Sequence, residues 1–89
     1  MLEKTKTIKG FAAFVKGNPE KGLCNRWSGG SQTGTNVQSI TTDIDSITIS
    51  DSAKQIEIFT IWFNNNHKNK VEFEIKEVER TYTTTLQIK

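Results

Sequence analysis

Between residues 46 and 88 apolar and polar side chains alternate with a period of two. That is the pattern of strands with one face buried and one face wet. Ile47 and Ile49 flank Thr48, and Val71, Phe73 and Ile75 are separated by Glu72 and Glu74. Val78, Tyr82, Thr84, Leu86 and Ile88 continue the pattern on the opposite parity. A phase change near Lys76–Glu77 predicts a β-bulge or a bend between two strands. A chain patterned this way is expected to be a small, mainly antiparallel β domain.

Gln55–Phe63 differs from its neighbours. Ile56, Ile58 and Trp62 fall on one face of an extended chain, and Phe59, Ile61 and Phe63 on the other. Apolar residues on both faces predict a central strand covered on both sides. Asn64–Lys70, rich in asparagine, then reads as a hairpin loop. Ser46–Ser50 and Val37–Thr42 read as further strands, and Asp51–Lys54 as a turn. Thr5–Lys16 admits two readings. Ile8, Phe11, Ala12 and Val15 share a helical face, whereas Phe11, Ala13 and Val15 share a strand face. The β-branched Thr5, Thr7 and Ile8 and the mid-segment Gly10 favour the strand. Residues 17–36 contain Gly17, Pro19, Gly22, Gly29, Gly30 and Gly34 and read as a long irregular loop, a kind often devoted to function.

The 89 residues allow one domain with a thin core. Self-association is one way for so small a core to gain stability, so a homo-oligomer stays open. The net charge of +2 demands no polyanionic partner. Its distribution is uneven, at +4 over residues 1–30, −3 over residues 31–61 and +1 over the remainder. Cys24 is the single cysteine, so no internal disulfide forms, and a reducing, cytoplasmic setting is expected. The apolar run Phe11–Val15 is too short for a signal h-region or a membrane span.

No constellation of residues carries catalytic chemistry. Cys24 and His67 would be the nucleophile and base, but His67 has no orienting carboxylate near it in sequence. One Cys and one His cannot supply the four ligands of a structural zinc. Asp43, Asp45 and Asp51 lack the glycine and terminal glutamate of a calcium loop. Gly29–Thr35 lacks the lysine and spacing of a phosphate loop. Glu72, Glu74, Glu77 and Glu79 fit a solvated strand face interleaved with Lys70, Lys76 and Arg80. No metal or cofactor is expected, and no enzyme activity.

The expected fold is all-β, a small antiparallel sandwich or open barrel of six or seven strands. The alternative is an α+β fold with one N-terminal helix on the sheet. The expected function is non-catalytic protein binding, in the manner of a small intracellular inhibitor or immunity factor of phage or bacterial origin. The binding surface is expected at Arg26, Trp27, Gly29, Gly30 and Gln32, with His67 and Lys68 as a second group. Trp and Arg are favoured there because they dominate interface hot spots. Trp27 has a competing role as a core plug, which a thin core would use. Two other classes remain. One is a single-stranded nucleic-acid binder that stacks bases on Trp27, Phe59, Trp62 or Tyr82. The other is a structural, self-assembling module.

Overall fold

A computed structural model describes residues 2–89. Four strands and one long helix follow in the order β1 (Leu2–Val15), β2 (Asn18–Ser28), β3 (Thr35–Thr41), α1 (Ala53–Asn66) and β4 (Phe73–Leu86), with a single 3₁₀ turn at Ile44–Ser46. The strands form one open antiparallel sheet in the order β3-β2-β1-β4. The protein is therefore mostly strand with one helix on the sheet, the α+β alternative in outline. The helix is not N-terminal, because Thr5–Lys16 lies in β1 and its turn. Four strands in a single layer replace the six or seven of a sandwich or barrel.

The main correction is Gln55–Phe63, which is helical rather than a central strand. Ile56, Phe59 and Phe63 recur at i, i+3 and i+7, a helical stripe that an extended reading distributes over two faces. The start is marked by Ser52, whose Oγ accepts from the Gln55 amide at 3.3 Å. A serine three residues before a glutamine, just ahead of an apolar run, is a capping-box sequence. The same cap replaces the expected Asp51–Lys54 turn. At the other end Asn64 closes the expected hairpin loop as a helix exit. Its side chain donates to the Val71 carbonyl at 2.9 Å and accepts from the Val71 amide at 2.8 Å.

Residues 17–36 also contain more order than a loop. Lys16-Gly17 is a tight turn in which Gly17 takes a φ of +79°, a region favourable to glycine. Residues 18–28 then form β2. Val15 pairs with Asn18 but Phe14 pairs with Gly22, so Pro19, Glu20 and Lys21 bulge out of the ladder. Proline is tolerated there because no ladder bond needs its missing N–H. The bulge thus lies at the β1–β2 turn, not at Lys76–Glu77. β4 pairs with β1 without interruption from Phe73 to Leu86.

The phase change in β4 has another cause. The two faces of the sheet are covered at different places. Phe73 and Ile75 join Ala13, Leu23, Ile56, Phe63 and Phe11 under α1. Val78 lies on the opposite face, near Ile44, Ile47 and Ile49. Ala12 and Ala13 are consecutive and both fully buried, one beneath each layer. Side chains on neighbouring strand residues point to opposite faces, so the buried parity follows the cover.

β1 and β2 pair only at Phe14–Gly22 and Val15–Asn18, and beyond Gly22 they diverge. The segment Thr48–Ser50 fills the gap. The Thr48 amide donates to the Leu23 carbonyl at 3.0 Å, and the Asn25 amide donates to Thr48 Oγ1 at 2.8 Å. On the other side Phe11 and Ser50 exchange backbone bonds of 2.7 and 3.0 Å. The expected Ser46–Ser50 strand is thus one isolated bridge. Through it the chain crosses from the Ile44–Ile47 side of the sheet to the helix side. Gly10 and Gly22 permit the passage. A Cβ on Gly10 would lie 2.6 Å from the Ser50 carbonyl oxygen, and one on Gly22 2.7 Å from Ile47.

The helix assignment predicts an asymmetry. Ile56 is buried and Ile61 is half exposed. Ile56→Ala should cost about 2–5 kcal/mol, as core truncations do. Ile61→Ala should cost about 0.5 kcal/mol or less. Urea denaturation of both variants measures the pair, and equal large losses would restore the two-sided strand. At the gap, Gly10→Ala should cost about 1–3 kcal/mol through overpacking against backbone, read in the same titration.

Candidate protein-binding surface

The divergence of β1 from β2 gives the molecule two prongs. One is the β2–β3 hairpin, closed by residues 29–34. The other is a two-stranded arm made of residues 2–9 of β1 and 79–86 of β4, paired from Leu2–Leu86 to Lys9–Glu79. Both leave the β1–β2 turn in the same direction, with Thr48–Ser50 between their bases.

The expected site residues lie mainly on the first prong. Trp27 is 56% exposed, so it does not plug the core. Its indole Nε1–H donates to the Gly30 carbonyl at 3.3 Å, and its ring lies against Gly34, where a Cβ would come within 2.5 Å. The Gly34 amide also donates to the Gly30 carbonyl, at 2.8 Å. Gly29 turns the chain with a φ of +106°. Gln32 is exposed at the tip. The tryptophan therefore clamps its own loop and stays displayed.

Arg26 and Trp27 do not form one anchor pair. They are successive strand residues and point to opposite faces. Arg26 Nε donates to Cys24 Sγ at 3.3 Å and its Nη2 to Ser46 Oγ at 3.2 Å, on the face away from the helix. His67 caps α1 from the helix side. Its Nδ1–H donates to the Phe63 carbonyl at 2.8 Å, and its ring stacks on Phe63 at 3.9 Å. His67 thereby satisfies one of the carbonyls that a helix end leaves open. Lys68 is exposed beside it. His67 and Asn66 face Thr35–Gln38 of β3 across a polar cleft. Beneath it the buried Gln38 donates to Asn25 Oδ1 at 2.8 Å, and Asn25 donates to Asn36 Oδ1 at 3.2 Å. Cys24 is buried on the opposite face from His67, which separates the one thiol from the one imidazole.

The second prong is a surface that sequence reasoning missed. Its two faces differ. One carries Thr5, Thr7, Thr81, Thr83 and Thr85 with Glu3, Lys9 and Glu79. The other carries Leu2, Ile8, Tyr82 and Leu86 with Lys4, Lys6, Thr84 and Arg80. Leu2, Ile8, Tyr82 and Leu86 are all exposed, Leu86 to 60%. Among the described residues only the base is anchored. Arg80 Nη2 donates to the carbonyls of Ile44 and Ile47 at 2.7 and 2.8 Å. The pairing register was the missing signal, because Leu2 and Leu86 are neighbours only once the ends of the chain meet.

Among the described residues no group of three or more His, Cys, Asp or Glu side chains is placed to hold a metal ion, and no helix is long and apolar enough to cross a membrane. Comparisons with protein-family models, curated proteins and solved structures find no match.

Arg80 ties the arm to the 3₁₀ turn and to Ile47, which lead into the segment between the prongs. Hydrogen bonds made by a charged donor contribute about 1.5–3 kcal/mol. Arg80→Met, which keeps the aliphatic stem, should lower stability by about 2 kcal/mol. Thermal melts check this, and an unchanged melting temperature would show that the anchor carries no weight.

Proposed function

We propose that this protein is a non-catalytic protein-binding module that grips its partner with the β1–β4 arm. One observation carries the reading. The arm displays Leu2, Ile8, Tyr82 and Leu86 on one face, and among the described residues no layer covers either face. Two-stranded ribbons are marginal in water without a covering layer. A partner that covers the apolar face would bury those side chains and supply that layer. Lys4 and Lys6 on the same face suit an acidic rim on the partner. The displayed Trp27 at the tip of the other prong is a second contact of the hot-spot type.

The reading fits a small inhibitor or immunity factor, which acts by occupying a surface and needs no chemistry of its own. The aromatic side chains give less support to single-strand binding. Phe59 and Trp62 pack on each other on α1, Trp27 sits on the hairpin and Tyr82 on the arm. Stacking platforms for successive bases need to be adjacent.

The test compares the prongs. Leu2→Ser/Tyr82→Ser should abolish capture of the partner from host lysate with the melt largely unchanged, whereas Trp27→Ala should weaken capture about tenfold or more. Retention of the same partner at parental levels by the arm variant would contradict the proposal. Binding that survives the arm variant but collapses steeply with salt would point to phosphate contacts instead.

A further inference from the structure

Among the described residues β4 is an edge strand, with β1 on one side and no strand on the other. In antiparallel pairing, residues bond alternately to the two sides. Phe11 directs its N–H and C=O to Ser50, away from β4, so the odd-numbered residues of β1 do not bond to β4. Their partners in β4 are also odd-numbered. It follows that Thr81, Thr83 and Thr85 direct their backbone N–H and C=O groups outward.

Two exposed strand edges flank the arm, and they differ in charge. The free edge of β1 carries Lys4, Lys6 and Lys9 against the single Glu3. An antiparallel copy about Lys6 would set Lys6 against itself, and a copy about Thr5 would set Lys4 against Lys6 twice. Lysines on an edge block such pairing. The outer part of the β4 edge, past Arg80, has no such guard. From Thr81 to Leu86, and on through Gln87 and Ile88 beyond the strand, eight residues carry no charge, glycine or proline. Threonine, tyrosine and isoleucine favour strands.

We propose that the β4 edge pairs antiparallel with β4 of a second copy, about a two-fold axis at Thr84. This rests on the reading of the arm as the binding element and names one partner for its edge. In this register Thr83 lies opposite Thr85, Tyr82 opposite Leu86, and Glu79 opposite Lys89. No like charges oppose each other. Tyr82 and Leu86 fall at a non-hydrogen-bonded pair, where side chains approach most closely. Leu2 and Leu86 of one copy, with Tyr82 and Lys6 of the other, then form one row across the joint face. The dimer is closed, since each copy has one β4 edge, and the arms become a four-stranded platform for a further partner.

Sedimentation over about a hundredfold range of concentration should show a monomer–dimer equilibrium. Thr83→Pro removes an outward N–H that β1 does not use, and should weaken dimerisation about tenfold or more. Thr84→Glu is a second variant, which sets two carboxylates against each other across the axis while facing Lys4 within each copy. In a Cys24→Ser background, Thr84→Cys should form a covalent dimer on mild oxidation. Opposed residues at this pair type lie about 4.5 Å apart, within disulfide range. Thr83→Cys should not, because its copies would be diagonal at about 7–8 Å.

A parent that stays monomeric throughout, a dimer untouched by both Thr83→Pro and Thr84→Glu, or equal cross-linking of the two cysteine variants would overturn the inference. A monomeric parent whose arm variant still loses its captured partner would sink self-pairing alone. A dimer with the expected cross-link, whose arm variant keeps its captured partner, would sink the partner-binding face and leave the self-pairing edge.

Discussion

The structure depends on the placing of Thr48–Ser50 between two strands that start as a hairpin and then separate. A four-stranded sheet of this length would ordinarily pair β1 with β2 throughout. Here that pairing stops at Phe14–Gly22, just past the three-residue bulge at Pro19–Lys21, and Thr48 and Ser50 take up the backbone groups of Leu23, Asn25 and Phe11. Buried backbone donors and acceptors must be paired, so the gap is stable only while this segment stays in it. Gly10 is the main steric condition, since a side chain there would strike the Ser50 backbone, while one on Gly22 would press on the side chain of Ile47 just before the inserted segment.

The rest of the architecture follows. The chain that passes through the gap leaves the 3₁₀ turn on one face and starts α1 on the other. Each face gains a partial cover, and Ala12 and Ala13 are buried back to back. Neither cover reaches the outer half of β1 and β4, so the arm projects with both faces wet. The molecule is correspondingly elongated, at 53 × 36 × 22 Å. The proposed binding arm is the consequence of a core that covers only half of its longest strands.

Much of the β character was legible in the sequence. β3 is where the alternation puts it, and Thr5–Lys16 is strand on the weight of its β-branched residues. Phe73 and Ile75 do point into the core. The differences at Gln55–Phe63 and at Val78 share a cause, which is that periodicity does not show which layer covers a residue. β2 is hidden for another reason, since Gly17, Pro19 and Gly22 mark a turn and a bulge rather than a loop. Val78 changes parity because a different layer covers it, not because the strand is broken. Ile56, Ile58 and Ile61 have strand propensity, but Ser52 and Gln55 cap a helix whose buried stripe is Ile56, Phe59 and Phe63. Tertiary burial overrides propensity in such cases. Trp27 was legible as either plug or display, and the decision lies with Gly34, whose missing side chain lets the indole fold onto its own loop. The arm was not legible, because it is made by the meeting of residues 2–9 with 79–86.

Residue-resolved amide hydrogen exchange in dilute protein tests the central claim, that the sheet is held open at the fork and left unfinished at its outer edge. The amides of Phe11, Asn25, Thr48 and Ser50 should be among the slow exchangers, since they open only when the core opens. Along the arm, Tyr82 and Thr84 should exchange more slowly than Thr81, Thr83 and Thr85. Thr48 and Ser50 amides exchanging as fast as those of Ser31–Thr33, with no alternation along β4, would contradict the account.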